Sequence, residues 1–394
     1  MTGRKVAVVG GATTKFGVRA ASWPELAQEA GAALFRAVPG LHADRVDSLF
    51  VGAAEPERFA FQSHVAPLAA EQMGLRPHRI LQRTELACAS GQSAIRSAYA
   101  AIAAGLSDVA VCVGVEKMNL PSMAEANTSM ACVMDRPWDG AHGATAPPFF
   151  AMVAQRHMLE FGTTEEMMAA VSEKNHRFAN SNPTAQFHEK TFSREKLLRL
   201  PWVAPPLRLG DCSSMTDGAA AVVLAAEDRV AEFTDTPVWI RGTGQYSDFH
   251  NLAHAGSLTE WTGLRRAAEE ALRSARLTIQ DVDFAEIHDC FTISEIVEYE
   301  ALGLCPRGKG GTFALEGQAE IGGPIVVNPR GGLLGCGHPL GATGIAQAVE
   351  VFQQMAHRVP PARQVPRPDI ALVHNLSGSA NVHSIMVYGR EAAA

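Results

Sequence analysis

Charge is scarce in this 394-residue chain: Asp, Glu, Lys and Arg make up 19% of it, with a net charge of −7. No basic run appears, which argues against nucleic acid as the main partner. No uninterrupted apolar stretch is long enough to cross a bilayer. The opening "MTGRKVAVVGGATTKFG" has too short an apolar core for a secretory leader and reads as a first β-strand. The closing "GREAAA" carries no lipidation or address signal. A GxxxxGK[ST] phosphate loop is missing, and the glycines of "VVGGATTKFG" do not complete GxGxxG, which sets aside the common nucleotide fingerprints. The seven cysteines (Cys88, Cys112, Cys132, Cys212, Cys290, Cys305, Cys336) are scattered and contain no CxxC pair. That pattern fits reduced thiols in a cytoplasmic protein better than a disulfide framework or a zinc site.

What is present is a globular composition, 47% apolar, in a chain long enough for two or three domains. Short apolar strands ("KVAVVG", "SLFVGAA", "RILQRTEL", "DVAVCVGV") alternate with Ala-rich helical stretches such as "WPELAQEAGAALFRAV" and "SAIRSAYAAIAAG". Such alternation predicts an α/β fold with a largely parallel sheet covered on both faces. From 119 to 206 the rhythm breaks: methionines cluster (Met123, Met130, Met134, Met152, Met158, Met167, Met168) around "PPFF" and "NSNPTAQF". This stretch reads as an insertion over the sheet. The first half then spans 1–118 and continues at 207–235, where "DGAAAVVLAAEDRV" resumes the strand pattern. The second half, 236–394, repeats the same order of elements and closes on two strands around a turn, "DIALVHNLSGSANVHSIMVYG".

Three stretches carry chemistry. In "ELACASGQSAIRSAYAAIAAG", Cys88 falls where a strand ends and a helix begins, among residues small enough to let other backbone close in. A helix N-terminus stabilises a thiolate or a developing oxyanion. The plainer reading is a buried structural cysteine. In "NPRGGLLGCGHPLGATG", six glycines surround His338, a candidate base for a thiol, with Cys336 as a small turn filler. In "EIHDCFT", His288, Asp289 and Cys290 follow a strand, and "TISE" offers a capping-box start to a helix. Asp289 reads as a capping or solvated residue. A metal role is not supported, because no second Cys/His pair stands at ligand spacing.

Together "CASG" with its Ala-rich helix, "VGVEKM", "TDGAAAVVL" and "GHPLGATG" resemble the thiolase family over nearly the whole chain, in the family's order. The resemblance implies two similar α/β halves in a five-layer αβαβα arrangement with an inserted loop domain. It implies that Cys88 takes up an acyl group from a coenzyme A thioester and that His338 activates it. Most thiolases supply a second acid/base thiol from a C-terminal "CxG" motif. Here the stretch is "HNLSGSAN", with Asn375 read at the cysteine and Ser377 at the glycine. "HDCF" in place of the usual "NEAF" resembles the sterol-carrier-protein type and related archaeal and bacterial enzymes. In that type Cys290 supplies the second thiol and His288 helps bind the thioester oxygen. Ser213 in "GDCSSMTDG" matches the serine that contacts pantetheine.

The resemblance therefore implies an acyltransferase that cleaves a 3-oxoacyl-CoA with CoA, or runs the reverse Claisen condensation. It implies that no cofactor is permanently bound and that coenzyme A is a substrate. A carbon–carbon lyase such as a retro-aldolase, a decarboxylating ketoacyl synthase and a non-catalytic acyl-CoA-binding subunit are the alternatives. The presence of Cys88 counts against the retro-aldolase, and "GHPLGATG" against the synthase. The family's habits imply a homodimer or tetramer, and "HDCF" members often work with a small OB-fold protein bearing a zinc ribbon. "PPFF" and the methionines either line an apolar acyl pocket or pack the core. Arg156, Lys174, Arg177 and Lys190 are among the basic candidates for the CoA phosphates.

Overall fold

Strand order repeats in the two halves of the computed structural model, which describes residues 3–120 and 122–392, without the side chain of Met123. Met1 and Thr2 of the opening segment, the side chain of Met123 in the methionine-rich stretch and the last two alanines of "GREAAA" therefore lie outside what is described. The first half contributes β1 (Val6–Thr13), β2 (Ser48–Gly52), β3 (Ile80–Thr84), β4 (Val109–Glu116) and, after a separate hairpin of β5 (Trp202–Ala204) and β6 (Leu207–Arg208), β7 (Gly218–Ala226). The second contributes β8 (Val238–Ser247), β9 (Phe284–Glu286), β10 (Val326–Val327), β11 (Ile370–Ser377) and β12 (Val382–Gly389). They line up as β10-β9-β11-β12-β8-β1-β7-β4-β2-β3. Read outward from the β8/β1 junction, each side has the same plan: β8-β12-β11-β9-β10 against β1-β7-β4-β2-β3.

The sheet is mixed, which corrects the largely parallel expectation. β10/β9, β9/β11, β4/β2 and β2/β3 are parallel; β11/β12, β12/β8, β8/β1, β1/β7 and β7/β4 are antiparallel. The last strand of each half causes this. Only four residues, 378–381, separate β11 from β12, and a connection that short permits only an antiparallel return.

Helices α1 (Trp23–Ala37) and α2 (Val65–Gln72) pack on one outer face, with Leu26, Ala30 and Leu34 turned toward Ala7, Val9 and Val223. On the other outer face lie α4 (Ala146–Phe161), α5 (Glu165–Asn180), α6 (Thr262–Ala275) and α7 (Thr292–Ala301). In α6, Leu264, Ala267, Ala268, Ala271, Leu272 and Ala275 recur at helical spacing and are buried, while the charges face out. Between the two half-sheets run α3 (Ser90–Ala103) and α9 (Leu340–Met355). Fifteen of the sixteen α9 residues are buried, the signature of a helix covered on all sides. Helix, sheet, helix, sheet, helix is the five-layer arrangement.

α3 and α9 meet through backbone. A Cβ built on Gly91 would lie 2.5 Å from the Gly341 carbonyl oxygen, so only glycine fits there. This close approach brings the two helix N-termini, and the residues just before them, to one place.

Candidate active site

Cys88 sits in a single 3₁₀ turn, Ala87–Ala89, that joins β3 to α3. Ala87 holds φ +43, an uncommon conformation for a residue with a Cβ. The turn is knitted by Ser90, whose Oγ donates to Ala87 O (2.7 Å) and accepts from Leu86 N–H (2.9 Å). The thiol is half-buried against a patch that includes Met118, Leu120, Met130, Met215 and Leu340. Burial pushes its pKa up to about 12, opposed by the N–H groups of Gly378 and of Cys88 itself. Two backbone donors therefore face the sulfur.

His338 lies between α8 (Gly332–Cys336) and α9. Its N–H donates to Thr216 Oγ1 (3.1 Å), and Nδ1 lies 2.8 Å from Thr343 Oγ1. Thr343 spends its single proton on Pro339 O (3.0 Å), so it accepts from Nδ1–H. That assignment leaves Nε2 unprotonated, and Nε2 has no other partner. Burial lowers the ring's pKa to about 3. His338 is thus a neutral base with its lone pair free.

His288 is fully buried, and neither ring nitrogen has a partner. Its ring stands edge-on to His338, centroids 4.9 Å apart. Cys88, His288 and His338 each bring one sulfur or nitrogen to within 4.8 Å of the other two. Cys290 follows at the end of the same segment, with Sγ 3.8 Å from Ser294 Oγ. Burial, the neighbouring Cys88 and Glu298 push its thiol well up, and Ser294 opposes them. The site therefore holds neutral thiols beside neutral imidazoles.

Asp289 is neither solvated nor a cap on its own helix. It is fully buried and accepts from Leu333 N–H (2.7 Å), Leu334 N–H (3.1 Å) and Asn175 Nδ2 (2.7 Å). It thus holds the first turn of α8, the element that delivers His338. The expected "TISE" box is also displaced by one residue. The N-cap is Phe291, whose N–H donates to Ser294 Oγ (3.2 Å), while Thr292 bonds Asp211 and Glu295 turns inward to Lys174 and Asn175. Of "PPFF", Phe150 stacks on Phe291 at 4.5 Å, and Phe149 borders a cavity of about 330 Å³ lined also by Phe249, Leu258, Trp261 and Asn381.

Three readings of single residues change. The N–H that reaches Cys88 belongs to Gly378, one position beyond Ser377, so the glycine of the C-terminal motif is retained and Leu376 takes the cysteine's register. Asn375 is not brought to the group. Its side chain is buried against α9, where Nδ2 donates to Gln347 and to His374 O. Lys174 is not available to a phosphate: it is buried, 2.6 Å from Glu295 and 2.8 Å from Val327 O. Ser213 does adjoin the site, its N–H donating to Cys290 O (2.9 Å). Cys336 stays apart, its thiol donating to Arg330 O. Sequence reasoning missed Gly378, although a glycine in "SGS" at a strand end, with φ +59, was its signal.

Nucleophile-type sulfur, free imidazole and paired N–H donors at the meeting of two repeated halves define a site for acyl-group chemistry. Residues 6–228 match the family model "Thiolase, N-terminal domain" and residues 244–390 match "Thiolase C-terminal domain-like"; the chain belongs to the thiolase family. It is 40% identical over 388 residues to an acetyl-CoA acetyltransferase of Methanothermobacter thermautotrophicus, covering 98% of this chain and 100% of that protein. It is 34% identical to the benzoylsuccinyl-CoA thiolase subunit BbsB of Thauera aromatica, over 97% of each. Among solved structures, the Ltp2-ChsH2(DUF35) aldolase shares the fold at a TM-score of 0.84 and 24% identity, over 99% of both chains.

Proposed function

We propose that the chain is a CoA-dependent acyltransferase of thiolase type, cleaving a 3-oxoacyl-CoA with CoA or running the reverse condensation. In the condensing direction the Cys88 proton passes to His338 Nε2 as sulfur bonds the thioester carbonyl carbon. Charge developing on the carbonyl oxygen falls between the N–H groups of Cys88 and Gly378. The CoA thiolate leaves and takes the proton from His338. The Cys290 thiol then gives its proton to His338 Nε2, and the thiolate removes the α-proton of a second thioester whose oxygen is held by His288. The carbanion attacks the acyl carbon, the bond to Cys88 sulfur breaks, and that sulfur takes the proton back from His338. Because the thiols and imidazoles start neutral, proton transfer accompanies attack and no thiolate is stored beforehand.

The convergence of Cys88, His288 and His338 within 4.8 Å carries this reading. It is supported by the 40% identity to an acetyl-CoA acetyltransferase over almost the full length. Ser213, beside Cys290, contacts the pantetheine arm. The cavity bordered by Phe149, Phe249 and Trp261 takes the more apolar part of the substrate. We take 1–118 with 207–235 and 236–394 as the catalytic halves and 119–206 as the loop domain. The protein is cytoplasmic and at least dimeric. A small zinc-ribbon partner is consistent with the name of the Thauera relative, a subunit, and with the two-component name of the Ltp2-ChsH2(DUF35) aldolase.

Intact-protein mass spectrometry after mixing with acetyl-CoA or 3-oxoacyl-CoAs tests the proposal. An acyl adduct should form on wild type and on Cys290→Ser, which keeps Cys88, and be lost in Cys88→Ser; Cys290→Ser should not turn over. No adduct from any thioester, with or without a zinc-ribbon partner, would return the lyase or binding-subunit reading.

A further inference from the structure

The two buried histidines of the site hold more free lone pairs than acyl transfer uses. His338 has Nδ1 fixed by Thr343 and Nε2 free; His288 has both nitrogens free although its ring is fully buried. Leaving a buried nitrogen unpaired is costly, so this point in the fold favours a polar or cationic guest. The third group of the cluster is the Cys88 thiol, and all three donor atoms lie within 4.8 Å of one another. Local sequence spacing could not disclose such a set, since its members stand at 88, 288 and 338.

The donor chemistry selects the guest. One thiolate and two neutral imidazoles suit Zn²⁺, which takes four tetrahedral ligands. Zinc bonds of about 2.3 Å to sulfur and about 2.0–2.1 Å to nitrogen set the donors about 3.4–3.6 Å apart. The three donor atoms, within 4.8 Å of one another, stand close to that spacing. Thr343 supplies the support that metal-bound histidines ordinarily have: it accepts from Nδ1–H and aims Nε2 inward. Water or a ligand from solution completes the tetrahedron.

We propose that the acylation centre is also a Zn²⁺ site, formed by Cys88, His288 and His338, and that metal bound there reversibly blocks the thioester. On binding, a Zn–S bond replaces the S–H bond of Cys88 and the proton leaves to solvent. The blocking effect rests on the reading of Cys88 as nucleophile; the metal site itself does not.

The test uses the full chain stripped of metal, with Zn²⁺ titrated calorimetrically under chelator competition and Co²⁺ as the spectroscopic probe. Expected are one tight site per chain, a thiolate-to-cobalt charge-transfer band, and loss of that band in Cys88→Ser and after alkylation of Cys88. Thr343→Val should weaken binding about 10-fold or more through the histidine it orients. Far-ultraviolet circular dichroism and a thermal melt establish that each variant is folded. A band and affinity unchanged in folded Cys88→Ser, or no band in wild type, overturns the proposal. Acetyl-CoA separates the two readings. An adduct on Cys88 with no Co²⁺ band leaves thiolase chemistry standing and removes the metal site. A Cys88-dependent band with no adduct does the reverse.

Discussion

Replacing Asp289 by Asn should cost both stability and turnover, because one carboxylate ties the "HDC" segment to the helix that delivers His338. Its two oxygens accept three N–H groups, from Leu333, Leu334 and Asn175, all in a site without solvent. Asn keeps one acceptor oxygen and places an amide N–H₂ where the other stood. At least one buried N–H then loses its partner, and a donor faces a donor. With about 1–3 kcal/mol for each such group, the expected loss is about 2–4 kcal/mol. Urea unfolding would show it as a lower midpoint at unchanged slope. His338 follows Leu334 by four residues, so relaxation of α8 moves its ring, and displacement by an ångström can cost about 10²-fold in rate. The effect should fall on kcat and on the rate of acyl-adduct formation more than on KM. Gly332→Ala approaches the same contact from the other side: Gly332 has φ +59, and its new Cβ would lie 2.1 Å from Asp289 Oδ2. The two changes should therefore be strongly non-additive in a double-mutant cycle. Wild-type stability and kcat in Asp289→Asn, or full additivity with Gly332→Ala, would refute the coupling.

Gly378→Ala, which puts a Cβ at φ +59 and 2.7 Å from Asn381 Oδ1, should lower kcat by about 10²-fold, and by more than Ser377→Ala does, because the donor facing Cys88 is the Gly378 N–H; steady-state kinetics of the two variants decide it. Lys174→Met should destabilise by about 3–5 kcal/mol in denaturant melts, since it strands the buried Glu295 carboxylate 2.6 Å from its present partner. His176, wedged between Phe187 and Phe192, has its pKa lowered by burial from 6.5 to about 4, so the unfolded chain binds its proton first as pH falls. Wild type should therefore lose stability relative to His176→Gln between pH 6.5 and 4, by up to about 3 kcal/mol, and the difference should stop changing with pH above pH 7.5.

Cys88, His338 and the His288–Cys290 segment were legible in the sequence because each stands at a strand-to-helix or loop-to-helix junction. There, glycine and small residues interrupt otherwise periodic apolar stretches. The partner of Asp289 was not legible: Leu333 is 44 residues away, and an aspartate after a strand looks alike whether it caps a helix or meets water. The register at the end of β11 slipped by one because all of "ALVHNLS" is buried, leaving no alternation to mark which residue turns out of the strand. Lys174 looked like a surface cation because charge type does not reveal the buried carboxylate opposite it. The mixed direction of the sheet depends on how each half returns its last strand, a property of connections that the apolar strand pattern does not record.

The repeated plan of the two halves explains why this chain can hold its second thiol where it does. α3 begins two residues after Cys88 and α9 two residues after His338, so the thiol and the imidazole occupy equivalent positions in the two halves. Gly91 and Gly341 follow at the same offset and touch across the junction. The strand pairings extend the equivalence. β2 pairs with β4 as Ser48↔Ala110, and β9 pairs with β11 as Phe284↔Ala371; Ala110 and Ala371 are each the second residue of their strands. Counting onward, Cys290 of the second half stands where the first half has Ala54. Ala54 is bound through its N–H to the buried Glu116, and it packs in the patch that holds Cys88. The position is therefore a strand-end loop that the fold turns toward the junction in both halves. In the first half it is spent on structure, with Glu116 gathering the N–H groups of Ala54, Glu55 and Gly341. In the second half Asp289 takes over the gathering of N–H groups from the glycine-rich segment, which leaves the flanking residues 288 and 290 free to present an imidazole and a thiol. A thiol at 290 needs no cysteine on β11, and β11 accordingly carries Leu376 packed in the core at the register where a cysteine would stand.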